Sequence, residues 1–159
     1  MKRALVIAHG WAGSGEVFKP LIEHLKNTSL QGKKPLQIFS LEQHYFGQNQ
    51  ACLIDFVAGH ELPPSLLEDP NTEWIGLGHS LGFAKLLSMN VQWSALISLH
   101  GFTRFAIQKA GQNGTPMRIM ERMIKQFKIN PHLVLDDFWR RSGHRPEKQT
   151  REISERLLQ

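Results

Sequence analysis

Along the first two thirds of the chain, short apolar runs alternate with stretches whose apolar residues recur at helical spacing. The apolar runs occupy residues 4–8, 36–41, 74–78 and 95–99. Helical patterns lie between or after them, at about 16–30, 51–59 and 81–89. Strand, helix and strand at this spacing predict right-handed crossovers and a parallel sheet that is covered on both faces. We predict an α/β fold with about four strands, in the spatial order second, first, third, fourth.

The last third of the chain has a helical pattern instead. Thr115 as N-cap and Pro116 in the first turn predict a first helix, which ends before a break at Asn130-Pro131. A short helix over 132–141, ended by Gly143, and a last helix over 146–158 are predicted after it. The apolar stripe of the first helix most simply forms a small core, and consists of Met117, Met120, Ile124 and Phe127. We therefore divide the chain into a sheet-containing core, residues 1–102, and a helical C-terminal segment, residues 103–159.

Charge is divided unevenly between these two parts. Residues 1–102 hold 7 Lys and Arg against 8 Asp and Glu, whereas residues 103–159 hold 12 against 6, a net charge of +6. This segregation suggests a separate role for the helical segment, or simply a solvated basic surface. The one cysteine, Cys52, cannot form an internal disulfide, and the first apolar run is too short for a signal peptide or a membrane span. A cytoplasmic protein is expected.

The segment "GHSLG", residues 78–82, has the pattern of a serine nucleophile on a tight turn. It follows a predicted buried strand and opens a predicted helix, a setting that strains the serine backbone and exposes its hydroxyl. Gly78 and Gly82 are expected to lie where the backbone leaves no room for a side chain. His79 completes the turn, and Ser80 is the predicted nucleophile.

A second segment, "AHGW" at residues 8–11, comes directly off the first strand. The backbone N–H of Trp11, together with that of Leu81, is predicted to bind a developing oxyanion. Gly10 belongs to this loop, and His9 is interpreted as a structural residue that shapes it rather than as a catalytic one.

Several segments together resemble α/β-hydrolase-fold carboxylesterases, most closely the branch that contains the pimeloyl-[acyl-carrier protein] methyl ester esterases of biotin synthesis. They are "HGWAGSGEVFKPLIEHL", "EQHYFG", "GHSLGFAKLL", "LISLHGFTRF" and "FKINPHLVLDDFWRRSG". The resemblance implies a nucleophile at Ser80, oxyanion donors at Trp11 and Leu81, and a helical lid beginning near Thr115. It implies no metal and no cofactor.

The chain departs from this family in its acid and base. In the family these residues follow later strands, beyond the lid, whereas no strand-like segment follows residues 95–99 here, so the chain resembles a C-terminally truncated member. Asp136 or Asp137, followed by His144, has the required order of acid and base. The segment that contains them is more typical of an amphipathic lid helix with solvated charges. His100 is the other candidate base, because it lies just past the strand adjacent to that of Ser80, and neighbouring strands are about 4.8 Å apart in a sheet.

Three functions stay open at this point. The chain is a serine carboxylesterase with an impaired base or one half of a split hydrolase, a non-catalytic relative that binds an acyl chain, or an interaction module. A small acyl ester is the expected substrate, and the resemblance implies that acyl carrier protein presents it. Its acidic surface would meet basic residues on the helical segment, namely Arg118, Arg122, Lys125, Arg140 and Arg141. No nucleic-acid-binding motif is found, and an unpaired last strand predicts self-association.

Overall fold

The computed structural model describes residues 2–30, 36–42, 55–58, 70–107 and 113–143. These residues belong to two compact units. The chain passes from the first unit to the second between Thr103 and Arg104.

A five-stranded sheet forms the first unit, and every ladder within it is parallel. Its strands are β1 (Lys2–Ala8), β2 (Leu36–Glu42), β3 (Asp55–Ala58), β4 (Thr72–His79) and β5 (Ala95–Leu99). Their order across the sheet is β3-β2-β1-β4-β5. The α/β class is therefore confirmed, and so is the order of the four predicted strands.

The prediction of a helix near Ala51–Gly59 is wrong for its middle residues. Residues Asp55–Ala58 form β3, which pairs in parallel with β2 and makes the sheet one strand wider than predicted. A short apolar run does not distinguish a strand from a helix segment by its periodicity, so neighbouring β2 decides the outcome. The remaining residues of that predicted helix lie outside the described part of the chain.

Helices cover both faces of this sheet. A short 3-10 helix (Gly15–Phe18) leads into α1 (Lys19–Leu30), and α2 (Leu81–Ser88) follows β4 directly. Because successive side chains of a strand point to opposite faces, β1 contributes to two separate cores. One core contains Ala4, Val6, Ala8, Phe39, Leu41, Trp74 and Leu86, and the other Leu5, Ile7, Phe18, Ile22, Ile38 and Leu77. Both cores fix the carboxyl ends of β1 and β4, where the candidate site lies.

The second unit is mainly helical. It contains β6 (Ala106–Ile107), which pairs with β7 (Thr115–Pro116), then α3 (Met117–Ile129) and α4 (Pro131–Ser142). The helix predicted to start at Pro116, with Thr115 as its N-cap, starts one residue later at Met117, because the backbone of Thr115 and Pro116 is extended and pairs with β6. Gly143 ends α4 in the left-handed conformation, with φ of 74°, as the sequence predicts. The third predicted helix lies outside the described residues.

The apolar stripe of α3 is only partly a core. Phe127 is buried, whereas Met117 and Ile124 keep about two fifths of their surface exposed, at 39% and 40%. The other side of the helix is polar, so α3 is strongly amphipathic. No helix among the described residues is long and apolar enough to cross a membrane.

Candidate active site

Ser80 lies on a strained turn between β4 and α2. Its backbone has φ of 52° and ψ of −119°, a conformation that side-chain-bearing residues rarely adopt and that typically costs about 1–3 kcal/mol. Two hydrogen bonds hold the turn: Ser80 N–H donates to the Leu99 carbonyl at 3.0 Å, and the Ser80 carbonyl accepts from Phe83 N–H at 3.2 Å. The serine is therefore fixed to both the neighbouring strand and the following helix.

The two glycines of this turn are required by the close approach of backbone segments. A methyl group on Gly78 would lie 2.5 Å from Phe83 N, since the first turn of α2 folds back over the end of β4. A methyl group on Gly82 would lie 2.6 Å from the Ala8 carbonyl carbon and 2.6 Å from the His9 oxygen. The start of α2 thus packs directly on the end of β1, which brings the loop after β1 beside the serine.

That loop runs next to Ser80. A methyl group on Gly10 would lie 3.1 Å from Ser80 Cβ, so even this small side chain would press against the serine. A tight turn follows, in which Gly13 N–H donates to the Gly10 carbonyl at 3.2 Å and Ala12 has φ of 55°. The residues predicted as oxyanion donors, Trp11 and Leu81, therefore belong to the two backbone segments that meet at Ser80.

His9 is buried beneath the loop and contacts two oxygens. Its Nδ1 lies 2.9 Å from the Gly10 carbonyl oxygen, and its Nε2 lies 2.9 Å from Glu42 Oε1 at the end of β2. The second carboxylate oxygen of Glu42 accepts a hydrogen bond from Gly15 N–H at 3.0 Å. His9 and Glu42 together join β2 to both ends of the loop.

Two further histidines flank Ser80. The strand register pairs His79 with Leu99, and His100 is the residue directly after Leu99, where β5 ends. Burial lowers the pKa of His79, and the nearby charges of His100 and His9 lower it further. His100 is exposed and has φ of 50°. Among the described residues, no hydrogen bond joins Ser80 Oγ to an imidazole.

The alternative acid, Asp137, lies in the second unit and already forms ion pairs with two arginines. Asp137 forms ion pairs with Arg140 at 2.6 Å and Arg141 at 2.8 Å, and the hydrogen bonds from these arginines lower its pKa. Its proposed companion His144 lies outside the described residues. The arginine side chains are exposed, as are the predicted partner-binding residues of α3, Arg118, Arg122 and Lys125.

Sequence reasoning missed Glu42. The signal was present, because a carboxylate directly ends the apolar run of β2, and the carboxyl ends of neighbouring parallel strands meet at one edge of a sheet. The described residues contain no group of three or more His, Cys, Asp or Glu side chains that could hold a metal ion.

Comparison with known proteins adds no family to this description. No protein-family model, no curated protein and no solved structure matches the chain.

Proposed function

We propose that this protein is a serine carboxylic ester hydrolase of the α/β-hydrolase superfamily. The observation that carries the proposal is the strained Ser80 backbone at the start of α2, beside the loop after β1. Strain of this kind is kept where the surrounding structure requires it, and active sites are a common place for it. The carboxyl ends of parallel strands are also where open α/β sheets bind their ligands.

The proposed reaction has two steps. Ser80 Oγ loses its proton to a base and attacks the ester carbonyl carbon, and the resulting oxyanion accepts hydrogen bonds from the Trp11 and Leu81 N–H groups. The alcohol then leaves with a proton, and water attacks the acyl-enzyme to release the acid and restore the serine. Each oxyanion donor typically contributes about 3 kcal/mol of transition-state stabilisation.

His100 is the proposed base. It directly follows Leu99, whose carbonyl accepts a hydrogen bond from Ser80 N–H at 3.0 Å, and this closeness along the chain favours the role. A base without an oriented acid is inefficient, and loss of a base from a serine triad lowers turnover by roughly 10⁶-fold. We therefore expect the chain by itself to hydrolyse p-nitrophenyl esters far more slowly than an intact serine esterase, at roughly 10³–10⁴ times the uncatalysed rate.

Labelling with a fluorophosphonate probe tests the nucleophile without requiring turnover. We expect slow covalent labelling of the wild type, none of Ser80→Ala, and wild-type labelling of Ser88→Ala, which removes an exposed serine at the far end of α2. Equal labelling of the wild type and Ser80→Ala would refute the proposal. Fast turnover that His100→Ala leaves intact would exclude His100 as the base.

The second candidate function, acyl binding without catalysis, is favoured by one observation: Ser80 Oγ and His100 are not hydrogen-bonded in the described structure. It predicts that a fatty acyl ligand protects the protein against thermal unfolding although the probe does not label Ser80. One half of a split hydrolase would instead gain labelling when a second chain is added.

The proposed substrate is an acyl group on acyl carrier protein, as a methyl ester in biotin synthesis, and a cytoplasmic location belongs to the same proposal. Support comes from charge: residues 103–159 carry a net charge of +6, and Arg118, Arg122 and Lys125 are exposed at helical spacing on α3. Arg140 and Arg141 are less suitable contacts because both already hold Asp137.

Titration of labelled acyl carrier protein tests this partner. We expect weak binding by the wild type that declines as the salt concentration rises, and at least about tenfold weaker binding by a variant with Arg118→Glu and Arg122→Glu. The matched control is Lys26→Glu, which reverses an exposed charge on α1. Binding that is indifferent to salt, or equally weakened by the control, would leave these residues as a solvated surface.

A further inference from the structure

The turn between α3 and α4 carries the two most exposed large apolar side chains among the described residues. Ile129, the last residue of α3, is 83% exposed, and Leu133, in the first turn of α4, is 58% exposed. A single residue, Asn130, separates the two helices, and its side chain accepts a hydrogen bond from Leu133 N–H at 3.1 Å. We call residues 128–133 the α3–α4 turn. Both aliphatic side chains thus lie at one end of the helical pair.

Neither side chain belongs to the core of the second unit. Ile129 follows the buried Phe127 by two residues, and Leu133 precedes the buried Leu135 by two, a separation of about 200° around a helix. Each therefore faces away from the buried side of its own helix. The residue before a helix cap often packs against the fourth residue after the cap, here Val134, but Ile129 is too exposed for such a contact. Folding of the second unit therefore does not explain why these two positions are apolar.

Three cations accompany Ile129 on α3. Arg122 and Lys125 precede it by seven and four residues, which places them on the same side of the helix, and Lys128 is its neighbour in the chain. All three are exposed, and among the described residues none of them has an ion-pair partner. The apolar side chains are therefore bordered by positive charge that can attract an anionic partner.

We infer that the α3–α4 turn binds the surface of an anionic lipid bilayer. Ile129 and Leu133 insert at the boundary between the headgroups and the acyl chains, and Lys125 and Lys128 contact the headgroups. Lysine suits this position because its aliphatic stem lies along apolar surface while the ammonium group stays in water. The turn lies on the bilayer and does not span it. The inference is independent of the proposed ester hydrolysis.

The residue types at the turn favour a lipid surface over a groove on another protein. The positions that dominate binding between proteins are enriched in Trp, Tyr and Arg and poor in Leu, and lysine is depleted at such interfaces. Leucine and isoleucine, by contrast, are among the side chains whose transfer into a bilayer is most favourable. Residues 103–159 hold 12 Lys and Arg against 6 Asp and Glu, and this net charge of +6 adds long-range attraction to an anionic surface.

Sedimentation with lipid vesicles tests the inference on the full chain without any substrate. We expect binding to vesicles that contain phosphatidylglycerol, declining as the salt concentration rises, and little binding to vesicles of phosphatidylcholine alone. Ile129→Ser with Leu133→Ser should weaken binding by at least about tenfold. The matched control is Val17→Ser with Leu87→Ser, which changes side chains of the first unit that are 56% and 43% exposed. Equal weakening by both double variants would overturn the inference.

The lysines are tested by removing the same charge from two different places. Lys125→Gln with Lys128→Gln should weaken binding by about 30-fold, because each lysine near an anionic surface contributes roughly a factor of five. Lys2→Gln with Lys26→Gln removes two exposed charges from the first unit and should have a much smaller effect. Circular dichroism verifies that all variants fold. Equal effects of the two pairs, or equal binding of the wild type to neutral vesicles, would refute a site at the turn.

A fluorophore at position 129 reports insertion directly. In a Cys52→Ser background, Ile129→Cys is labelled with a dye whose emission shifts to shorter wavelength in an apolar environment. We expect this shift on addition of phosphatidylglycerol vesicles, and none when the same dye is attached to Val17→Cys. Vesicle binding without a shift at position 129 would show that the cations alone hold the protein, and would overturn the insertion. A shift with acyl carrier protein but not with vesicles would replace the lipid surface by an acidic protein partner.

Discussion

Replacing Gly82 with alanine tests the contact between α2 and β1 on which the candidate site depends. In an exposed helix this change normally stabilises a protein by up to about 1 kcal/mol, because glycine loses more backbone entropy on folding. Here the new methyl group would lie 2.6 Å from the Ala8 carbonyl carbon and 2.6 Å from the His9 oxygen. Both atoms belong to the main chain, so no side chain can rotate away.

The size of the effect follows from what would have to move. β1 is hydrogen-bonded to β2 on one side and to β4 on the other, which leaves the strand little freedom to shift. The start of α2 must therefore move by roughly 1 Å, and overpacking of this kind costs about 1–3 kcal/mol or more. After subtracting the gain in helix propensity, we expect a net loss of about 2 kcal/mol and displacement of Ser80 from the loop.

Urea unfolding followed by circular dichroism measures the loss of stability, and fluorophosphonate labelling measures the displacement of Ser80. Ser88→Ala, on the exposed end of the same helix, serves as control and should change stability by less than about 0.5 kcal/mol. If Gly82→Ala proved as stable as the wild type, or more stable, α2 would not abut β1 as described here.

Two other features of the first unit yield measurable expectations. Burial lowers the pKa of His79 below its ordinary value, so this histidine binds a proton more readily in the unfolded chain than in the folded one. The free energy of unfolding should therefore decrease as the pH falls below about 6.5. Urea midpoints at pH 7 and pH 5 should therefore differ less in His79→Gln than in the wild type, and the exposed His24→Gln control should leave the difference unchanged. Among the described strands β5 pairs only with β4, and Ile97 and Leu99 on it are 44% and 38% exposed, so we expect concentration-dependent self-association. Light scattering at tens of micromolar measures this association. Ile97→Lys should reduce it, whereas Leu87→Lys, which changes a comparably exposed residue on α2, should not. A wild type that stays monomeric throughout would contradict the expectation.

The serine turn was predictable from sequence because its requirements are local. Gly78, Ser80 and Gly82 lie within five residues, and a tight turn between a strand and a helix needs glycine wherever the backbone crowds itself. The structure adds what Gly82 crowds against: the end of β1, more than seventy residues earlier in the chain. A local pattern indicates that space is missing, but not which distant segment fills it.

The charged residues illustrate the opposite case. Arg140 and Arg141 look in the sequence like part of a free basic surface, yet both pair with Asp137, three and four residues away on α4. Helical spacing permits such pairs, but three neighbouring charges leave open which of them turn towards each other. The ion pairs on α4 therefore make the arginines of α3 the better candidates for binding a partner.

The sequence by itself determined the α/β class, the order of four strands and the position of the Ser80 turn, since hydrophobic periodicity and glycine placement act over short stretches of chain. Tertiary structure alone decided that 55–58 join the sheet as β3 and that Glu42 meets His9 across 33 residues of chain. Neighbouring strands impose these outcomes. A short apolar run becomes a strand when an adjacent strand offers hydrogen bonds, and a carboxylate finds its partner when parallel strands end at the same edge.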